Sequence, residues 1–188
     1  MRGPLLSGAI GSPATLGRVC NLVREHAPVV VLSALWLAEA LATEFEVLAL
    51  VEAEKHGAAV RALRRARKLG LPLTIVSAAS EVPLAAGSVG TVLVDSLVDI
   101  EEQPAARDLI LALLPALKPD GIVVSLDATK SPPLEARVSE IFLAASLAHI
   151  TQIRPREGAL LTIGSAPPLT VTSIRAARPL AAPGEPRE

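Results

Sequence analysis

The sequence predicts an α/β domain with a doubly wound, mostly parallel sheet. Three observations carry this. Short runs of Val, Leu and Ile alternate with helical stretches from Pro28 to Leu169. The runs are apolar throughout, as strands covered on both faces must be. Glycine and proline punctuate the junctions, at Gly70 and Pro72, at Gly87, and at Pro119–Asp120–Gly121.

The elements follow in order. Leu16, Val19, Cys20 and Val23 form one apolar stripe, so Ala14–His26 reads as an amphipathic helix. Ser12 suits its cap and Pro13 its first position. Val29–Ser33 is strand one and Trp36–Thr43 a helix; Glu46–Val51 is strand two. Lys55–Leu69 is a long helix stopped by Gly70. Strand three is Leu73–Ser77 and strand four Ser88–Asp95. Ala105–Leu117 is a helix closed by Lys118–Gly121, before strand five at Ile122–Leu126. A helix over Leu134–His149 precedes a closing strand pair, Thr151–Pro155 with Ala159–Ile163. We expect a loose N-terminus over 1–13, one domain over 14–175, and a disordered Pro- and Ala-rich tail over 176–188.

Composition bounds the function. The chain has 188 residues, enough for one core, and 51% of them are hydrophobic. Aromatic residues make up 2%, with no Tyr, so stacking platforms for single-stranded nucleic acid are excluded. A net charge of −1 points to neither nucleic acid nor membrane. The single Cys20 permits no internal disulfide, which favours a cytoplasmic setting. No Cys/His cluster has zinc spacing. No signal peptide is read, and the longest apolar stretch, Ala27–Ala38, is too short for a bilayer.

Strand one runs into Ser33–Ala34–Leu35–Trp36–Leu37. A nucleotide-binding α/β domain normally carries glycines there, because the backbone bends tightly against the cofactor. Here bulky side chains hold the turn.

The segment Leu113–Leu114–Pro115–Ala116–Leu117–Lys118–Pro119–Asp120–Gly121–Ile122–Val123–Val124 resembles the L-K-P-G-G turn of class I S-adenosylmethionine-dependent methyltransferases. Ala85–Val94 is similar to that family's approach to strand four, and Glu52 stands where its ribose-binding carboxylate ends strand two. The resemblance covers Val29 to Ile163. It implies a Rossmann-like, seven-stranded sheet with an antiparallel terminal hairpin. It also implies a cofactor cleft near Ser33, Leu35, Glu52, Ala78 and Ser96. Two departures stand out. Val31, Ser33, Leu35 and Leu37 occupy the acidic and glycine positions of the first motif, and Ser77–Ser80 lacks the usual adenine-binding Asp. Leu35 and Leu37 are expected to fill cofactor volume, and Trp36 with them to plug the cleft and join the core.

Other groups have two readings each. Asp95 and Asp127, at the ends of strands four and five, could hold Mg²⁺, as in catechol-type O-methyltransferases. Ala128 replaces the Asn of that group, which favours no metal. Asp99, Glu101 and Glu102 read as solvated loop charges. Arg61, Arg64, Arg65 and Lys68 form one basic helix face, either solvated or docking an acidic partner, opposite a buried side with Val60 and Leu63. Ser33, Ser77 and Ser96 have no His beside them, so no catalytic residue is assigned. His56 reads as a surface His and Cys20 as a small buried hydrophobe.

These readings converge on a degenerate methyltransferase fold serving as a binding, scaffold or regulatory module with no bound cofactor. Its expected partner is another protein or a second copy of the chain, with neither nucleic acid nor membrane. The alternative is an active S-adenosylmethionine-dependent methyltransferase of a small acceptor, built around Glu52 with an atypical turn.

Overall fold

The computed structural model describes residues 11–32, 34–51, 56–77, 84–97, 103–128, 132–156 and 158–167. Helix α1 is Pro13–Glu25, β1 Val29–Leu32, α2 Leu35–Leu41, β2 Val47–Val51, α3 His56–Leu69 and β3 Leu73–Ser77. There follow β4 Val89–Asp95, α4 Gln103–Leu113, a 3-10 turn Leu114–Ala116, β5 Leu117–Asp127, α5 Pro132–Ala144, β6 Ala148–Arg156 and β7 Ala159–Ser165. The strands form one seven-stranded sheet in the order β3-β2-β1-β4-β5-β7-β6. Strands β1 to β5 are parallel to one another, and β7 runs antiparallel to both β5 and β6. The predicted fold class is what the chain adopts.

Strand alternation sorts the core into two layers. On the first face Val29, Val31, Val47, Ala49, Leu93, Val124 and Leu126 meet Val19 and Val23 of α1, Leu37, Ala38 and Leu41 of α2, and Ala66 of α3. On the second face Val30, Leu32, Leu50, Val92, Val94 and Val123 meet Ile110 and Leu113 of α4 and Val138, Ile141 and Phe142 of α5.

Local signals hold where the chemistry is short-range. Ser12 Oγ accepts the Thr15 N–H at 3.3 Å, and Pro13 opens α1. Gly70 takes φ 68°, its N–H bonds the Arg67 carbonyl, and Leu71 N–H reaches the Ala66 carbonyl, a complete Schellman stop.

Three expectations are corrected. The last helix ends at Ala144, not His149, because Ser146 and His149 both take positive φ and the chain turns early into β6. β5 begins at Leu117, which pairs with Val89, while Ile122 pairs with Thr91. The Lys118–Gly121 turn is thus a bulge inside the strand. The buried side of α3 consists of Ala59, Ala62 and Ala66; Val60 and Leu63 are only half-buried, because alanines let the helix approach the sheet closely.

The corner between α1 and β1 is clamped to β4. Thr91 Oγ1 donates to the His26 carbonyl at 2.7 Å, and Gly90 N–H donates to the Pro28 carbonyl at 2.9 Å. Lys118 Nζ donates to the Ala27 carbonyl at 2.7 Å. A Cβ on Gly90 would collide with the His26 carbonyl group and stand 2.7 Å from the Ala27 oxygen.

Candidate functional site

In an open α/β sheet the ligand edge lies at the carboxyl ends of the strands, where the strand order reverses. Here that point falls between β1 and β4. Helix α2 starts directly above it. Its cap, Ala34, offers no side-chain hydrogen bond. Leu35 and Trp36 are half-buried, and Leu37 is fully buried among the first-face residues. Leu37 is therefore a core residue, as expected of it.

Trp36 Nε1 donates to Asp95 Oδ2 at 3.3 Å, spanning from the first turn of α2 to the end of β4. Ser96 Oγ donates to the other oxygen, Asp95 Oδ1, at 3.4 Å. Ser96 itself sits at φ 57°, a left-handed conformation that a serine adopts only under constraint. The constraint is visible: its N–H donates to the Leu126 carbonyl of β5 at 2.9 Å.

Asp127 is wholly buried, and the Ser125 hydroxyl donates to its Oδ2. The pleat separates it from Asp95. Asp95 follows Leu93 on the α2 face, whereas Asp127 follows Val123 and Ser125 on the α4–α5 face. Adjacent strand ends thus aim these two carboxylates, the weak cation candidates of the sequence, to opposite sides of the sheet. Among the described residues no group of three or more His, Cys, Asp or Glu gathers to hold a metal ion.

His56 opens α3 and, with Val51, Ala59, Val60, Leu63 and Ile75, lines an apolar cavity of about 180 Å³ at the carboxyl end of β2. Ser33, Glu52 and Ala78 lie outside the described residues, as do Asp99, Glu101 and Glu102. Arg61, Arg64, Arg65 and Lys68 are all exposed on α3. Arg65 makes a bidentate contact to Glu39 of α2, with Nη2 at 2.6 and 2.9 Å from the two oxygens. Cys20 is half-buried, not buried as expected, because it sits at the margin of the α1 stripe.

The Trp36–Asp95 contact was missed from sequence. Its signal was there: Asp95 shares strand parity with Leu93, which fixes its face, and α2 lies on that face.

No protein-family model matches the chain, and no curated protein matches it. Solved structures do. An O-methyltransferase-family protein from Burkholderia thailandensis aligns with TM-score 0.62 and 16% identity, over 86% of this chain and 58% of that one. An S-adenosylmethionine-dependent methyltransferase from Aquifex aeolicus aligns with TM-score 0.61 and 16% identity, over 85% of this chain and 92% of that one. The [4+2]-cyclase SpnF aligns with TM-score 0.63 and 12% identity, over 80% and 81%. In two of the first three structures matched, the chain spans 57% and 55% of the neighbour's length. The chain thus has the class I S-adenosylmethionine-dependent methyltransferase fold. Among the described residues no helix is long and apolar enough to cross a membrane.

Proposed function

We propose that this chain is a binding module built on the methyltransferase fold, working through its surface and not as an efficient methyl-transfer enzyme. The observation that carries this reading is the Trp36–Asp95 bridge over the β1–β4 switch point. The ammonium group of S-adenosylmethionine needs a carboxylate near that point. The described residues offer Asp95, and both its oxygens already accept hydrogen bonds from Trp36 and Ser96. An ammonium group arriving there would have to share Asp95 with Trp36 and Ser96, which weakens its anchor. Each lost charged contact costs about 1.5–3 kcal/mol. Two such losses weaken binding by on the order of a thousandfold. The exposed stripe Arg61, Arg64 and Lys68 supports an acidic protein surface as partner.

A second reading, S-adenosylmethionine binding with methyl transfer to a small acceptor, has its own support. The cavity beside His56 lies at the carboxyl end of β2, and Leu37 is withdrawn into the core. The fold alone does not choose, since one neighbour is named as a cyclase.

A thermal melt with saturating S-adenosylmethionine and, separately, S-adenosylhomocysteine tests the proposal. We expect no shift. A rise of about 5–10 °C, the effect of a ligand at a hundred times its Kd on a domain this size, would overturn it in favour of the second reading.

A further inference from the structure

A second concavity lies at the opposite, amino edge of the sheet. It measures about 260 Å³ and is lined by Val29, Val30, Val47, Leu48, Leu84 and Val89, with Glu46, Thr74 and Ser88 as polar members. It opens on the second face. There α4 and α5 pack on β4, β5 and β7, and among the described residues no helix covers β2 and β3. Leu48 and Val76 are only half-buried and Thr74 is exposed. An apolar groove of this kind on a twisted sheet calls for a cover.

The chain itself leads there. Strand β7 ends at the same edge, because Ser165 stands opposite Ile122, Ile122 opposite Thr91, Thr91 opposite Val29, and Val29 opposite Val47. Ala166 N–H bonds the Gly121 carbonyl, and Ala166 packs against the second-face cluster, on the face where the groove opens. Four strand spacings separate β7 from β2, on the order of 19 Å. About six extended residues cover that distance. Past Pro167 the sequence continues for 21 residues, beginning Pro168–Leu169–Thr170–Val171–Thr172–Ser173–Ile174–Arg175–Ala176–Ala177–Arg178. Its first apolar residues come at the right reach, and Arg175 and Arg178 follow them, matching the exposed Glu46 at the groove.

We infer that Leu169–Arg178 docks in this groove, with Leu169, Val171 and Ile174 against Val30, Leu48 and Val89, and Arg175 or Arg178 beside Glu46. The tether favours this occupant over a free one, since a short linker holds it at millimolar effective concentration.

A nitroxide on Thr172→Cys, in a Cys20→Ala background of the full chain, tests this by paramagnetic broadening of backbone amides. We expect Leu48, Thr74 and Val89 to lose more than half their intensity, and Arg61 to keep its own. Replacing Leu169, Val171 and Ile174 with Ser should restore all three signals. Broadening confined to Gly121 and Ala148, near the exit from β7, would overturn the proposal. So would broadening of an isotope-labelled, spin-free chain by added spin-labelled chain, which would put a second copy in the groove. Hydrogen exchange on the unsubstituted chain gives an independent reading. Slowed exchange over 169–178 is expected, and exchange at the intrinsic rate there would also overturn it.

Discussion

Trp36 and Asp95 are 59 residues apart and joined by one hydrogen bond, Nε1 to Oδ2 at 3.3 Å. This contact ties the first turn of α2 to the end of β4 across the point where the sheet reverses its order. Asp95 is held on its other oxygen by Ser96, whose strained backbone is held in turn by β5. Three elements are thus locked where a methyltransferase of this fold receives its cofactor. Trp36 lies between Leu35 and Leu37, in the turn where bulky side chains stand. Its side chain forms a link across this point.

Trp36→Phe keeps the ring and removes the N–H. A long, half-exposed bond to a carboxylate is worth about 1 kcal/mol. The variant should melt roughly 2–4 °C lower in a domain of this size. Trp36 is the only Trp in the chain, so its fluorescence reports this one contact. Asp95→Ala, which removes the acceptor, should shift the emission to the red as the indole loosens. Unchanged emission would mean that the bond does not hold the ring in solution.

Ser125→Ala removes the hydroxyl that donates to the buried Asp127. Taking away one partner of a buried polar group costs about 1–3 kcal/mol. Urea denaturation should show a lower midpoint with an unchanged slope. Ser125→Thr, which keeps the hydroxyl, should recover part of the loss.

Gly90→Ala should be among the most damaging single-methyl changes in the chain. The new Cβ meets the backbone of His26 and Ala27, which two other anchors, Thr91 and Lys118, hold in place. Neither wall is a flexible side chain. Overpacking typically costs about 1–3 kcal/mol, and rigid backbone puts this position at the top of that range. A melting point lowered by roughly 6–12 °C is expected. Gly57→Ala, at the exposed start of α3 with only Arg61 Nη1 nearby at 3.7 Å, is the neutral control.

Arg61→Glu and Arg64→Glu together should leave stability within about 0.5 kcal/mol, because both side chains are exposed. Arg65→Ala should cost at most about 1 kcal/mol, since its contact to Glu39 is bidentate but its own side chain remains 60% exposed. If the stripe docks an acidic partner, the double charge reversal abolishes pull-down of that partner while the melt is unchanged. Retained capture would move the interface elsewhere.

The fold was legible because its determinants are local and repetitive. Unbroken Val and Leu runs specify buried parallel strands, and Ser12–Pro13 and Gly70 carry helix ends in single side chains or single φ values. What escaped depended on three-dimensional register. Nothing near residue 146 announces the left-handed serine that ends α5 early. The Lys118–Gly121 turn reads the same whether it precedes a strand or bulges from one. Asp95 and Asp127 look like a pair along the chain and are separated only by the pleat. Trp36 and Asp95 look unrelated along the chain and are joined only by the packing of α2. At the site itself, the sequence located the edge and the altered turn. It placed Leu37 in the core but did not show that Trp36 reaches across to Asp95.

Cys20 offers a pH-dependent readout of α1. Burial raises its thiol pKa above the ordinary value of 9.0, the nearby Glu44 carboxylate raises it further, and Arg24 opposes both. Arg24 and Glu44 are themselves paired at 3.0 Å. A thiol whose pKa is higher in the folded state holds its proton longer there than in the unfolded chain. Its contribution to stability is therefore complete below the unfolded pKa, about 8.5–9, and is lost as pH rises through the folded one. Stability of the natural sequence should fall above about pH 9 more steeply than that of Cys20→Ala, and the two curves should run parallel at pH 6–8. Glu44→Gln removes the like charge and leaves Arg24 to favour the thiolate, so the thiol should react faster with a disulfide reagent at pH 8. A Cys20 thiol that titrates at or below the free-cysteine value would show that the margin of α1 is wetter than its packing against Val19 and Val23 implies.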